Sequence, residues 1–436
     1  MLGLLQLLLA LALLALSVNW RSPFLPSLRF EILVLATFCC TVLIIAGVWQ
    51  FQGRNFVKYL SGLTLAVSVA SFAVLWGIEA EFQVTKHNVL NDEPARLESL
   101  GQHFVVGYRD FEEVRELVEK RAIAGIFITK RNIQGKTKEQ IKQEIQSLQQ
   151  IRDRQNLSPL WIATDQEGGI VSRLSPPLTQ LPQLSTIVEE QRNPSEQKEA
   201  VIEYATIQGK ELSEIGVNLN FAPVVDINKD IVNPEDRFSK IYKRAISRDR
   251  AVVARVAQWY CQTLMEYNVY CTLKHFPGLG RVEEDTHLSS AKLETPIAQL
   301  QQDDWVPFRQ VLKNTPAFTM LGHAILTEVD REHPVSFSES VVTGIVRNQW
   351  QHDGILITDD FCMQAVFRSK AGLRKATIAA LNGGVDLVLI AYDTDLYYPA
   401  IRATLQARAR GKLDEQRLAA SQKRLNLGKK DIKFGL

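Results

Sequence analysis

The chain has 436 residues, long enough for one large domain and an appendage. Its 50 lysines and arginines against 48 acidic residues leave it close to neutral, without the basic excess that a nucleic-acid binder carries. The five cysteines are an odd, sparse set: Cys39 and Cys40 lie in an apolar stretch, and Cys261, Cys271 and Cys362 are scattered without metal-ligand spacing, so no disulfide framework and no metal site is expected.

Composition divides the chain sharply. Residues 1–79 are dominated by Leu, Ala, Val, Ile and Phe, whereas residues 80–436 have the mixed composition of a soluble domain. Three apolar runs stand out, at 2–18, 32–49 and 59–78. Crossing a hydrocarbon core of roughly 30 Å takes about 20 helical residues. The runs are therefore expected to be three transmembrane helices, the first at the short end with Trp20 as an interfacial anchor. They lack the polar face that helices packed on a soluble core would show. No Lys or Arg precedes the first run to form the basic start of a signal peptide, so it is read as a span. Arg21 and Arg29 in the first loop, with Lys86 and Arg96 after the third run, outweigh Arg54 and Lys58 on the opposite side. By the positive-inside rule this favours a multi-pass membrane protein whose soluble domain is cytoplasmic. The expected organisation is a transmembrane region at 1–79, a linker at 80–99 and the soluble domain at 100–430.

From about residue 100, short apolar β-branched runs alternate with longer amphipathic stretches. Strands are predicted at 103–108, 123–129, 160–164, 218–222, 271–275, 318–322, 354–358 and 386–390, with helices at 111–121, 138–153, 196–215 and 251–267 among them. Eight strands separated by helices predict an α/β fold, a TIM-type (β/α)8 barrel; a doubly wound open sheet gives similar local signals. Polar residues cluster just after the strands: Asp165 after the third, Asp226 beyond the fourth, Lys274 and His275 closing the fifth, His323 after the sixth and Asp359 after the seventh. In a barrel these ends converge on the C-terminal face, where an enzyme keeps its chemistry.

The strongest local signal is Lys274-His275-Phe276-Pro277-Gly278-Leu279-Gly280, followed by Asp285-Thr286-His287. Lys and His at a strand end can both donate hydrogen bonds to hydroxyl groups, and the Pro and Gly residues turn the chain into a loop. Two residues apart, the Asp285 carboxylate can accept from one imidazole nitrogen of His287 and leave the other free to move a proton. Taken alone, an Asp-Thr-His tripeptide is an ordinary surface loop, and Asp359 alone is an ordinary helix cap after a strand.

In combination, these segments resemble the signature of glycoside hydrolase family 3, in particular its β-N-acetylglucosaminidases of peptidoglycan recycling. The resemblance covers most of residues 100–400. Thr164-Asp165-Gln166-Glu167-Gly168-Gly169, with Arg173 after it, looks like the family's Asp-Gln-Glu-Gly-Gly segment. Asn220-Phe221-Ala222-Pro223-Val224-Val225-Asp226 is similar to its fourth strand end, and Arg244-Ala245-Ile246-Ser247-Arg248-Asp249 to its Arg-Ala-Phe-Ser segment. Ile357-Thr358-Asp359-Asp360 resembles the stretch that supplies its nucleophile.

The resemblance implies roles. Asp359 is the expected nucleophile, His287 the expected acid and base, and Asp285 its orienting partner, replacing the second carboxylate of most retaining glycosidases. Asp165, Arg244, Lys274 and His275 are expected to bind sugar hydroxyls. The chain also departs from the pattern. Leu279 stands where the family commonly has His, which implies altered loop packing more than lost chemistry. The segment 228–243 is longer and more basic than usual, and Arg237 within it rivals Arg244 as the sugar-binding arginine; Arg244 is preferred because the Ala-Ile-Ser-Arg-Asp after it continues the family pattern. Cys362 is expected to be a small buried side chain. His323 either lines the site or is satisfied within the barrel rim, and His333 is given no role.

The expected activity is hydrolysis of terminal, non-reducing β-linked N-acetylglucosamine through a covalent glycosyl-enzyme. The recycling resemblance implies muropeptides as substrates, with membrane lipid around the N-terminal helices and no nucleic acid as partner. No cofactor is expected, since neither a P-loop nor a dinucleotide glycine pattern appears. Three other readings remain: a phosphorylase in which phosphate replaces water, a β-glucosidase, and a membrane-held sugar-binding protein without turnover. The Asp-Thr-His loop argues against the β-glucosidase, as does the end of the chain soon after the barrel. The combination of Asp359, Asp285 and His287 argues against the binding protein.

Overall fold

A computed structural model describes residues 2–50 and 56–430. The chain forms two compact units, Met1–Asn91 and Asp92–Leu436.

The first unit is built from helices α1 (Leu2–Asn19), α2 (Arg29–Gln50) and α3 (Phe56–Leu90). All three have the length and apolarity to cross a membrane. α1 and α2 both pack on α3. Small residues line the seams: Ala10, Ser17, Ala36, Ser68 and Ser71 are buried, and a side chain at Gly47 would touch Leu65 at 3.0 Å. Close approach of this kind is how helices associate where the solvent is itself apolar. The outer faces expose Leu5, Phe30, Phe38, Trp49 and Tyr59. Arg21, in the loop between α1 and α2, pairs with Glu79 of α3. Arg54, counted among the cations of the opposite loop, lies outside the described residues.

α3 is longer than its apolar run. The stretch expected to be a linker is helical on both sides of Asn91–Glu93, because no Gly or Pro interrupts the sequence between Gly77 and Pro94. Pro94 then opens the helix Pro94–Gly101, a first-turn position where its missing N–H costs nothing.

The second unit is the expected barrel. Its strands are β1 (Phe104–Gly107), β2 (Gly125–Ile128), β3 (Trp161–Thr164), β4 (Leu219–Asn220), β5 (Tyr270–Phe276), β6 (Phe318–Leu321), β7 (Leu356–Thr358) and β8 (Val388–Ile390). They pair in parallel in chain order, with β8 returning to β1. A parallel bridge between Ile357 and Leu387 joins β7 to the chain entering β8. Helices including Phe111–Glu119, Lys138–Arg154, Pro194–Glu214 and Arg250–Glu266 lie between the strands. Their N-termini are capped by residues of the expected kind: Asp110, Thr137, Asn193 and Asp249 each accept a backbone N–H of the first turn.

The end of the barrel where the strands begin is filled by aromatic packing. Trp161 meets Tyr270 and Phe318 edge-on, with ring centres 5.4 and 5.0 Å away. The C-terminal helix Glu415–Lys430 adds Leu425 to this core, and the Gly428 carbonyl accepts from the Tyr270 hydroxyl at 2.8 Å. Asp386 is buried beside it between Arg347 and Arg424, at 2.6 and 2.9 Å. That end holds the fold together, so the opposite end is free for chemistry.

One expectation is corrected. Cys261 and Cys271 form a disulfide, with Cα atoms 5.4 Å apart. Helix Arg250–Glu266 and strand β5 are joined by a short turn, which brings the helix's last turns beside the strand's first residues. Cysteines ten positions apart thereby meet, a proximity that spacing alone does not reveal. Cys362 is buried and free, as expected, and burial pushes its thiol pKa up.

Candidate functional site

The chain leaving β3 turns into a small antiparallel ribbon, Gln166–Gly168 against Val171–Ser172. Asn220, at the end of β4, fixes its start: its amide accepts from the Gln166 N–H and donates to the Gln166 carbonyl, both at 2.9 Å. Residues 165 and 167 alternate about this pinned position and both reach Lys274. Lys274 Nζ, on the buried end of β5, lies 2.7 Å from Asp165 and 2.6 Å from Glu167. Arg244 meets the same Glu167 carboxylate through Nε and a terminal nitrogen at 2.9 and 2.6 Å, and donates to the Ser239 carbonyl at 2.8 Å. Burial alone would raise the Glu167 carboxyl, but the two cations outweigh it and hold its pKa down to about 2.

Beside this cradle lies His275. Its Nδ1 is 2.7 Å from Asp226, a fully buried carboxylate that also accepts the backbone N–H of His275 and, at 2.6 Å, that of Leu279. With Nδ1 donating to Asp226, Nε2 faces Arg244 at 3.5 Å. Leu279 is buried, so the position where the family commonly carries His is filled by an apolar side chain packed near Gly322. Gly280 has no room for a side chain, since a Cβ there would lie 1.9 Å from the Ile227 carbonyl.

The loop after β5 brings the dyad to the same face. His287 Nδ1 lies 2.8 Å from Asp285 Oδ1, and Nε2 is left for other work. The Asp285 carboxylate also accepts the N–H groups of Arg237, Phe238 and His287 and the hydroxyl of Ser239, at 2.9–3.1 Å. Burial pushes this carboxyl up, but the hydrogen bond and charge of His287 and these amides hold it well below the usual carboxylate range. The dyad loop is tied to the loop after β7, where the N–H groups of Gln364 and Ala365 donate to the His287 and Thr286 carbonyls.

Asp359 follows β7. Its N–H donates to the Leu321 carbonyl at the end of β6, and its Oδ1 accepts the Asp360 N–H at 2.8 Å. Burial works to raise its pKa, yet the fields of His275, His323 and His287 prevail and lower it. It therefore stays an anion at neutral pH. Asp360 plays a different part, since its carboxylate accepts the amides of Cys362, Ala391 and Tyr392 and so ties the end of β7 to that of β8.

All seven residues singled out from the sequence thus sit on the C-terminal face. Lys274 and Arg244 are joined through Glu167, Asp165 joins them through Lys274, His275 adjoins Arg244, and Asp285 pairs with His287. Arg237 takes no part in the cradle: its side chain is exposed, and only its backbone touches the dyad. His323 is satisfied within the rim, between the Ser336 hydroxyl at 2.8 Å and the Asp360 carbonyl at 3.0 Å. His333 pairs with Asp330 at 3.1 Å. Two residues of the site, Glu167 and Asp226, have no role assigned from sequence alone. The signal for Glu167 is its spacing of two from Asp165 in an extended segment, which puts both on one side. For Asp226 there is only its place beyond β4.

A site that cleaves glycosides must hold a ring by its hydroxyls and bracket the anomeric carbon between an anion and a proton donor. Groups suited to both meet on this face, which defines a sugar-processing barrel. Residues 95–427 match the family described as "Glycosyl hydrolase family 3 N terminal domain". The chain belongs to glycosyl hydrolase family 3. It is 31% identical over 289 residues to a beta-hexosaminidase of Xanthomonas euvesicatoria pv. vesicatoria, covering 66% of this chain and 82% of the relative. It is 34% identical over the same length, with the same coverage, to a beta-hexosaminidase of Xylella fastidiosa. Among solved structures it is similar to a family 3 beta-N-acetylglucosaminidase from Paenibacillus sp. FPU-7, with a TM-score of 0.70 and 28% identity over 77% of this chain and 62% of that one. A family 3 glycosyl hydrolase of Mycobacterium smegmatis matches with a TM-score of 0.68 and 28% identity, over 79% of this chain and 99% of its own.

Proposed function

We propose that the chain is a membrane-attached β-N-acetylhexosaminidase that removes terminal, non-reducing β-linked N-acetylglucosamine with retention of configuration. Family membership and the named hexosaminidase relatives support the reaction class. The observation that carries the mechanism is the His287–Asp285 pair at 2.8 Å on the same face as an ionised Asp359.

In the first step Asp359 attacks the anomeric carbon as the bond to the leaving oxygen breaks, and His287 Nε2 gives that oxygen its proton. In the second, the now neutral Nε2 takes a proton from water. The hydroxide so formed attacks the anomeric carbon, Asp359 is released, and His287 is protonated again. Asp285 remains charged and fixes the imidazole with Nε2 outward. Asp165, Lys274, Arg244 and His275 hold the sugar, with Glu167 and Asp226 keeping the last three in place. Muropeptides are the proposed natural substrates, on the resemblance to the recycling enzymes.

Three apolar helices support attachment to lipid. For the side on which the enzyme works, the charges flanking the helices and the Cys261–Cys271 disulfide point in opposite directions. The charge bias is a difference of a few residues, whereas disulfides are rare in reducing compartments. We therefore place the catalytic unit on the oxidising side.

The test is turnover of 4-nitrophenyl β-N-acetylglucosaminide and the matching β-glucoside by the full chain in detergent, with and without phosphate. Release from the acetylated sugar alone, lost in Asp359→Ala, supports the proposal. Sugar 1-phosphate formation would replace it with a phosphorylase, preference for the glucoside with a β-glucosidase, and sugar binding without turnover with a binding protein.

A further inference from the structure

We propose that Arg237 and Phe238 form the wall that receives the leaving group, and that Arg237 selects aglycones carrying a carboxylate. This rests on the glycosidase reading above and deepens it.

The argument starts from the imidazole. Nδ1 of His287 is committed to Asp285, so proton transfer uses Nε2, and the scissile oxygen must come to that atom. Whatever the oxygen carries then lies along the surface beside the ring. That surface includes Phe238, whose ring centre is 5.4 Å from that of His287, and Leu288 is the residue after His287 in the chain. Phe238 is 53% exposed and Leu288 37%, although most large apolar side chains of this unit are buried.

The segment is also held in place. The N–H groups of Arg237 and Phe238 and the hydroxyl of Ser239 all donate to the Asp285 carboxylate, so three consecutive residues are referenced to the dyad. Asp236 accepts the N–H groups of Ser239 and Lys240 at 2.9 and 2.7 Å and fixes the turn from the other side. A segment anchored by its backbone presents its side chains outward at a set position. Arg237 is exposed there, and among the described residues its guanidinium has no ion pair.

The sugar-holding groups leave this segment unused. Arg244 faces inward on Glu167 with a side chain 9% exposed, whereas Arg237 stands at the rim. The two arginines that compete in the sequence therefore divide the substrate: Arg244 serves the sugar and Arg237 what the sugar is attached to. A planar guanidinium at a fixed site favours a carboxylate over a neutral group.

The experiment uses N-acetylglucosaminides of 4-hydroxybenzoate and of its methyl ester, which differ in one charge at the far end of the aglycone. The readout is the ratio of their kcat/KM values, acid over ester, for the full chain in detergent. That ratio reports the step in which the aglycone is still attached. In the wild type it should exceed that of Arg237→Ala by about tenfold and fall with added salt, with Arg237→Lys in between. Phe238→Ala should raise KM for both glycosides. An unchanged ratio in Arg237→Ala, or an equal loss on both glycosides, would overturn the assignment. Failure of the wild type on 4-nitrophenyl β-N-acetylglucosaminide would instead sink the underlying function.

Discussion

Arg244 and Glu167 form a two-point ion pair, 2.9 and 2.6 Å, and Lys274 completes it from the other side at 2.6 Å. None of the three is free to drift. The arginine and lysine proposed to hold the sugar are thus both fixed by one carboxylate. Removing that carboxylate leaves buried Arg244 without its ion pair and Lys274 with Asp165 alone, a loss on the order of 3–5 kcal/mol.

Acid should erase the difference. The Glu167 pKa in the folded protein lies near 2 against an ordinary value of 4.5. The stability gained from its ionised form is complete above pH 4.5 and disappears as pH falls toward 2. Wild type and Glu167→Gln should differ most in Tm near neutral pH and converge across that window. A gap in Tm independent of pH would mean that the residue acts by packing instead of charge.

His287 should matter in proportion to how badly the leaving group needs a proton. Nitrophenolate leaves without one, and an alkoxide does not. His287→Ala should therefore lose on the order of 100-fold or more in kcat/KM on a methyl glycoside. The loss on the 4-nitrophenyl glycoside should be much smaller. Azide, which needs no base, should restore turnover of the activated substrate. Equal losses on both would assign the proton to another group.

Gly168 tests how tightly the ribbon is built. Its φ is +94°, and a Cβ there would lie 1.9 Å from the Tyr204 hydroxyl and 2.5 Å from the Pro182 carbonyl. That hydroxyl donates to the Glu167 carbonyl at 2.9 Å, so relief of the clash shifts Glu167 as well. Gly168→Ala should cost about 2 kcal/mol or more and reduce activity. Gly135 has φ +75° but open space around it. Gly135→Ala should cost about 1 kcal/mol and leave turnover alone.

The sidedness proposal can be read from cysteine chemistry. Alkylation of the protein extracted in the presence of a thiol trap should leave Cys261 and Cys271 unmodified until a reductant is added. Recovery of both as alkylated thiols without reduction would return the catalytic unit to the cytoplasmic side favoured by the flanking charges.

Much of this arrangement is local in sequence and therefore legible in it. Asp285 and His287 are two residues apart, and Lys274 and His275 are adjacent at a strand end. The barrel is legible because its strands pair in chain order, so each apolar run predicts its neighbours. What stays hidden depends on distant segments meeting. Lys274 is 109 positions from Asp165, and Glu167 becomes a hub only once β3, β5 and Arg244 converge. Arg244 is favoured over Arg237 by the Ala-Ile-Ser-Arg-Asp that follows it, but only the fold shows that Arg244 is buried against Glu167 while Arg237 is exposed. The Cys261–Cys271 bond likewise needs the helix laid beside the strand.

The most direct measurement is to find the carboxylate that becomes glycosylated. A fluorinated N-acetylglucosaminide with a good leaving group, which forms the glycosyl-enzyme faster than water can break it, would be incubated with the full chain. Acid quenching, digestion and mass mapping would then locate the sugar. The mechanism predicts a single labelled site, Asp359, and no label in Asp359→Ala. Label on Asp165 or Glu167, or none while substrate is still being consumed, would contradict it.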